Sequence, residues 1–195
     1  MSKKGNPIAF RGKDFHRLMR LAQALAPTDE IGWNYAFEDI GLGLNVDPRI
    51  KSEWAVGPTY AANLAVFGST GGDSVHYGFL CDEPIVDDRS PVVMVVPCAW
   101  GRDNMFQVVG GSLAEFLALG SGYGYFAIEQ LAYDYEETVH KIDAAVPYRQ
   151  EMSDSEKRQL DLVRQEFGIV PWKNVGQRLE ELDTLFFDRL KIVGE

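Results

Sequence analysis

Apolar and polar residues alternate along the chain with two different periods. Over residues 14–25 the apolar positions recur at helical spacing on one face, and Pro27 follows them, which predicts a helix that ends there. Shortly afterwards Trp33, Tyr35 and Phe37 are separated by single residues. This alternation predicts a short strand with one buried face.

The centre of the chain predicts a sheet. The glycine-rich stretch 68–73 is typical of a turn, and it separates two strand-like segments that would form a hairpin. Residues 92–96 are continuously apolar, as expected for a strand covered on both faces. Four short strands in succession indicate a mainly antiparallel sheet. The predicted strands are residues 63–67, 74–81, 92–96 and 105–109.

Helical spacing returns after the sheet. Ser112 with Glu115 three residues later predicts a capping box, and Ser153 is a second candidate cap. The predicted helices are residues 113–120, 125–135, 154–167 and 178–190. Residues 147–155 are the best candidate for a linker, but the last two helices are amphipathic and are expected to pack on the same core.

Strands followed by helices predict an α+β fold, with a mainly antiparallel central sheet flanked by N-terminal and C-terminal helices. The chain has 195 residues, which suits a single domain over 1–195 with a C-terminal helical extension from residue 150. Its two cysteines, Cys81 and Cys98, are too few for a disulfide scaffold, and free buried thiols are expected. Without a long apolar run or a signal sequence, we expect a soluble cytoplasmic protein.

The charge adds information about partners. The formal net charge is -10, with 19 basic and 29 acidic residues. Six of the basic residues lie within the first 20 positions, so the rest of the chain is more acidic than the total indicates. Such a surface repels nucleic acid and attracts a basic protein. Solubility alone is the alternative explanation of the charge.

The candidate chemistry is weak. The stretch 68–73 has the glycines of a phosphate loop but no following lysine. His76 with Ser69 or Ser74 and Asp73 would form a hydrolase triad, but without a nucleophile elbow, so this remains a third hypothesis. The acidic loop 82–88 lacks the alternating oxygens and central glycine of a calcium loop. We therefore predict no catalytic residue, no metal and no cofactor.

One acidic stretch is interleaved with aromatic residues. It is either a solvated helix face or an interface in which aromatic anchors sit within an acidic rim. Its acids are Glu129, Asp134, Glu136, Glu137 and Asp143, and its aromatic residues are Tyr125, Phe126, Tyr133 and Tyr135.

The order of the strand motifs resembles the SUKH superfamily, which includes fungal cell-wall-synthesis regulators and many bacterial immunity proteins. The resemblance covers about residues 60–120. It consists of LAVFGSTGGD at 64–73, an alternating strand to residue 80, PVVMVV at 91–96, and FQVVGGSLAEFL at 106–117. The family pattern is an apolar strand ending in Gly-Gly-Asp, a "Pro-Val" strand, and a strand leading into a Ser-x-x-Glu-Phe-Leu helix.

The resemblance implies an α+β fold and a binding role without catalysis, commonly the neutralisation of a nuclease or deaminase toxin. Gly71, Gly72 and Asp73 would shape the hairpin. We expect an immunity protein with a basic toxin domain as partner; the alternative is a regulatory or scaffold domain. Each expected partner contact could equally be a solvated loop residue. These contacts are Asp82, Glu83, Asp87, Asp88, Trp100, Arg102 and Asp103.

Overall fold

A computed structural model describes residues 8–26, 32–44, 60–99, 101–144 and 152–194. Its strands are β1 (Ala9–Phe10), β2 (Gly43–Leu44), β3 (Tyr60–Ala61), β4 (Leu64–Ser69), β5 (His76–Leu80), β6 (Ile85–Val86), β7 (Val92–Val95), β8 (Phe106–Gly110) and β9 (Ile192–Val193). Its helices are α1 (Lys13–Leu25), α2 (Arg102–Met105), α3 (Leu113–Gly120), α4 (Phe126–Glu129), α5 (Tyr135–Ala144), α6 (Asp154–Phe167) and α7 (Val175–Phe186). None of these helices has the length and hydrophobicity that a membrane crossing requires.

The central sheet has the order β2-β4-β5-β7-β8, and every neighbouring pair is antiparallel. The predicted α+β fold with a mainly antiparallel sheet is therefore confirmed. Two short pairings lie outside this sheet: β1 with β6 in parallel, and β3 with β9 antiparallel. The pairing of β1 with β6 was not predicted. Strand β6 has only two residues and lies within the polar stretch 82–91, whose composition indicates a loop.

Strand β7 is buried on both faces and separates two apolar layers. Val92 and Met94 belong to the larger layer, whereas Val93 and Val95 belong to the smaller one. Aromatic rings fill the larger layer: Phe67 stacks on Phe79 with their centroids 4.3 Å apart. Burial of each large apolar side chain contributes about 1.5–3 kcal/mol, so these two layers account for the stability of the sheet.

The C-terminal helices pack on both layers. Leu160 and Val163 of α6 belong to the larger layer, and Leu182 of α7 belongs to the smaller one. Ser153 caps α6 with a complete capping box, as predicted. Arg17 of α1 also forms an ion pair with Glu166 of α6, with Nε and Oε1 2.7 Å apart.

Three local predictions are wrong. The alternating aromatic residues do not form a strand, because residues Gly32–Tyr35 form a 3₁₀ helix. The helix predicted over 125–135 is interrupted, because the carboxylate of Asp134 accepts from the N–H of Glu137 and starts α5 anew. The helical spacing over residues 178–190 also predicts that Leu185 is buried, but this side chain is 60 % exposed, since it lies beside the buried stripe of α7 rather than on it. The predicted linker lies mostly outside the described residues.

Ser112 caps α3 as predicted, since its side chain accepts from the N–H of Glu115. In a complete capping box the Glu115 carboxylate would accept from the N–H of Ser112, but here it accepts from the residue before it. The Glu115 carboxylate accepts from the N–H of Gly111 and also pairs with Arg178 of α7, with Nε and Oε1 2.7 Å apart. This one side chain therefore joins the start of α3 to the C-terminal part of the chain.

Candidate functional site

The register of the strands defines two ends of the sheet. Ser69, His76, Val95 and Phe106 are paired successively across it, so they mark one end, which we call the hairpin end. The β4–β5 turn and the 96–105 loop both lie there. The loop between β5 and β7 carries residues 82–90 and lies at the opposite end, which we call the acidic-loop end.

The predicted partner contacts are split between these two ends. Asp82, Glu83, Asp87 and Asp88 lie at the acidic-loop end, whereas Arg102 and Asp103 belong to α2 at the hairpin end. Trp100 lies outside the described residues. Because five residues of extended strand span about 16 Å, the two groups do not form one compact contact patch.

Three of the four acids at the acidic-loop end have structural partners. The Asp88 carboxylate accepts from the N–H of Asp14 at 2.9 Å, in the first turn of α1. Asp82 pairs with Arg189, with Oδ2 and Nη2 2.6 Å apart. Asp87 accepts from the N–H of Arg89 at 2.9 Å, which closes a local turn. These acids stabilise the fold, and Glu83 is exposed beside them.

The turn of the β4–β5 hairpin contains three residues with positive φ. Gly71 has a φ of +86°, and Asp73 and Ser74 have φ of 46° and 58°. Glycine avoids the steric cost of this conformation at position 71, and aspartate tolerates it better than most residues. Gly72 lies outside that region, and a Cβ placed there meets nothing within 4 Å. Gly71 and Asp73 therefore adopt the left-handed conformation within the hairpin turn, whereas the backbone at position 72 does not require glycine.

His76 does not form the triad considered from the sequence. Its Nδ1 donates to the backbone carbonyl of Ser74 at 2.8 Å, which takes the place that an orienting Asp73 carboxylate would need. The imidazole is buried, and this burial lowers its pKa, so the neutral ring is favoured. The other two histidines, His16 and His140, are exposed.

Charged and polar groups from three segments meet at the hairpin end. The Thr70 hydroxyl, in the turn, donates to the Glu129 carboxylate at the end of α4, at 3.2 Å. Burial raises the pKa of Glu129, and the neighbouring Asp73 charge raises it further. Burial also raises the pKa of Tyr133, followed by the charges of Glu129, Cys98 and Asp73. These groups therefore share one electrostatic environment.

Aromatic side chains stand exposed among these acids. Phe126 and Tyr133 are each 49 % exposed and Tyr135 is 37 % exposed, whereas Tyr125 is fully buried and donates to the carbonyl of Leu117. Asp143 does not belong with these exposed acids, since its carboxylate accepts from the N–H of Val175 at the start of α7. Glu137 pairs with Lys141. Asp134 does not belong with them either, since its carboxylate accepts from the N–H of Glu137 at the start of α5. We call the remaining set the acidic aromatic surface: Asp73, Phe126, Glu129, Tyr133, Tyr135 and Glu136.

No motif or spacing in the sequence predicts that Thr70 or Cys98 lies near this surface. Cys98 is exposed, contrary to the expectation of buried thiols, whereas Cys81 is buried and burial raises its pKa to about 12. Within the described ranges, no three His, Cys, Asp or Glu side chains are placed to hold a metal ion. Exposed aromatic side chains beside carboxylates can recognise a partner by contact and charge.

No family model, curated protein or solved structure matches the chain.

Proposed function

We propose that this chain is a non-enzymatic protein-binding domain, and specifically an immunity protein that neutralises a basic toxin of nuclease or deaminase type. The observation that carries the proposal is the acidic aromatic surface. Three large aromatic side chains stand partly exposed there among carboxylates. Aromatic residues at the centre of an interface commonly provide most of its binding energy.

The charge supports a basic partner. With a net charge of -10, the chain attracts a positively charged protein over a distance and raises its rate of association. The aromatic anchors would then slow dissociation, which is where most affinity differences between related complexes arise.

Neutralisation would need no chemistry. An enzyme that acts on nucleic acid presents a basic groove to the phosphate backbone. An acidic surface with aromatic anchors can occupy that groove and exclude the substrate. The SUKH resemblance suggests the same class of function. Its motifs fall on β4, β5, β7 and β8, which are four of the five strands of the central sheet, and on helix α3.

The test is capture of partners by the tagged full-length chain from the cells that produce it, with mass spectrometry of the bound proteins. We expect a stoichiometric basic protein that is toxic when expressed alone and harmless when co-expressed with this chain. A stoichiometric partner without toxicity would overturn the immunity proposal and favour a regulatory or scaffold domain. An empty capture would overturn both forms of the binding proposal.

A matched pair of double variants locates the interface. Phe126→Ala with Tyr133→Ala should weaken the captured complex by at least about thirtyfold, because anchor residues commonly contribute 2 kcal/mol or more each. The control is Val170→Ala with Leu185→Ala, which removes two other exposed apolar side chains. Equal losses in both double variants, measured by calorimetry, would place the interface elsewhere.

A further inference from the structure

The exposed side of helix α1 is basic, in contrast to the acidic character of the chain as a whole. Lys13, Arg17 and Arg20 are spaced by four and three residues, so they lie on one face of the helix. Lys13 and Arg20 are exposed, and Arg11 just before the helix is exposed as well. We call Arg11, Lys13, Arg17 and Arg20 the basic face. It spans about 10 Å along the helix axis from Lys13 to Arg20.

Three of these four side chains have no partner in the fold. Arg17 pairs with Glu166 of α6, with Nε and Oε1 2.7 Å apart. Within the described residues, the side chains of Arg11, Lys13 and Arg20 form neither an ion pair nor a hydrogen bond. They are therefore available to an acidic partner. The basic toxin proposed above does not fit this face, because like charges repel.

The fold shows twice which groups bind an arginine of this chain. Arg17 pairs with Glu166, and its guanidinium lies over the ring of Phe167, 5.2 Å from the centroid. Arg189 pairs with Asp82 and lies over an aromatic ring of α7, 5.3 Å from its centroid. A carboxylate beside an aromatic ring thus binds a guanidinium by charge and by stacking.

The acidic aromatic surface offers the same two kinds of group. Asp73 and Glu136 are exposed there, and neither carboxylate forms an ion pair in the part of the chain that the structure describes. Phe126 and Tyr133 supply rings that are each 49 % exposed. This surface does not meet the basic face of its own molecule. The basic face begins at the acidic-loop end, where Asp88 contacts α1, and the acidic aromatic surface lies at the hairpin end.

We propose that the basic face of one copy of this chain binds the acidic aromatic surface of a second copy, so that copies join head to tail. A contact between two unlike surfaces leaves one of each kind open, so it extends into rings or open chains. The net charge of -10 makes whole copies repel each other, which keeps the contact weak and reversible. A basic toxin would therefore displace the second copy, and this competition rests on the proposed function.

A nucleic acid fits the basic face less well than a protein surface does. Carboxylates of the fold border this face: Asp88 accepts from the N–H of Asp14, and Glu166 pairs with Arg17. These neighbours would repel a continuous row of phosphates. The separate carboxylates of a protein surface can instead contact the unpaired cations one by one.

Sedimentation velocity of the full chain, from micromolar to millimolar concentration, tests the self-association. We expect species larger than a monomer, which increase with concentration. Lys13→Gln with Arg20→Gln should weaken the association by about fivefold to tenfold, as expected for two partly exposed ion pairs. The matched control is Lys173→Gln with Arg158→Gln, which removes the same two charges at other exposed positions. Equal losses in the two double variants, or a chain that stays monomeric throughout, would overturn the proposal.

A mixing experiment tests whether the contact is head to tail. Asp73→Asn with Glu136→Gln alters the acidic aromatic surface and keeps the basic face, and asparagine tolerates the positive φ at position 73. At a concentration where this variant and the Lys13 and Arg20 variant are each monomeric, an equal mixture should form a dimer and nothing larger. One unaltered contact remains in that mixture. A mixture that stays monomeric would overturn the proposal.

This proposal and the immunity proposal can fail separately. If a captured basic toxin binds while the self-association persists unchanged, the head-to-tail contact is overturned and the immunity proposal stands. Head-to-tail association through Lys13 and Arg20 without any captured toxin would support the contact and contradict the immunity proposal. A monomeric chain that binds a labelled single-stranded oligonucleotide through these two residues would overturn the contact and assign the basic face to nucleic acid.

Discussion

The two ends of the sheet are both rich in carboxylates, yet they use them differently. At the acidic-loop end, Asp88 binds the first turn of α1 and Asp82 pairs with Arg189. At the hairpin end, Asp73 and Glu136 are exposed, and Tyr133 with its neighbouring aromatic residues is exposed on the same surface. An acid that has a structural partner contributes to folding, whereas an acid beside exposed aromatic residues is available for an interface.

This comparison changes how acidic stretches are interpreted. The acidic stretches at the two ends both have the composition of solvated surface segments, and their charge alone does not distinguish them. The two groups of acids differ in what their carboxylates contact. The carboxylates at the acidic-loop end bind a backbone N–H or a guanidinium, whereas those at the hairpin end lie among exposed aromatic side chains. Changes at the acidic-loop end should therefore affect stability first, and changes at the hairpin end should affect binding first.

Replacement of Asp88 should give the largest loss of stability among the acids of the acidic-loop end. Gly12, the N-cap of α1, has no side chain that could accept from the N–H of Asp14. The Asp88 carboxylate, 74 positions from Asp14 in the chain, is the acceptor instead. A Cβ at Gly12 would lie 2.9 Å from that carboxylate, so the glycine leaves room for it. Asp88→Ala should lower the free energy of unfolding by about 1 kcal/mol, measured with urea.

The matched control for Asp88 is Glu83→Ala in the same loop, where the side chain is exposed. Its effect should stay within about 0.5 kcal/mol. If both variants lose the same stability, the contact with α1 contributes nothing and the contrast between the two ends disappears.

Replacement of Asp82 should have a smaller effect that depends on salt. Its ion pair with Arg189 joins the acidic loop to the C-terminal segment, but both side chains are partly exposed. Exposed pairs are worth about 0.2–1 kcal/mol and are screened by salt. Asp82→Asn should therefore lower the free energy of unfolding less than Asp88→Ala, and the loss should shrink between low and high salt. A loss that is constant with salt would argue against an ion pair.

The sequence predicts what local patterns encode. The continuous apolar run of β7, the alternation of β5 and the serine caps of α3 and α6 all depend on residues close together in the chain, and all were found. Three alternating aromatic residues are too few to distinguish a strand from a tight turn, which explains the error at residues 33–37.

The sites themselves depend on pairs that are distant in sequence. Asp88 with Asp14 and Thr70 with Glu129 are 74 and 59 positions apart. The cavity of about 410 Å³ between β8 and α7 is likewise lined by residues that are far apart along the chain. The local spacing of apolar residues does not predict such contacts, because they follow from the order of the strands in the sheet and from where the C-terminal helices pack on it.

The smallest predicted effect is a pH dependence at the hairpin end. The folded chain raises the pKa of Glu129 above its ordinary value of 4.5, mainly by burial. A carboxyl group with a raised pKa costs no stability at low pH, where it is protonated in both states. The cost appears as the pH rises from 4.5 through the folded pKa and is complete above it.

Glu129→Gln keeps an acceptor for Thr70 and removes the charge. Its free energy of unfolding relative to the unmodified chain should therefore increase between pH 4 and pH 7, measured with urea. Glu136→Gln, on the same surface, reports what the loss of one negative charge does by itself. If the two variants follow the same pH curve, Glu129 is no more constrained than an ordinary surface acid, and the hairpin end then has only exposed charges to offer a partner.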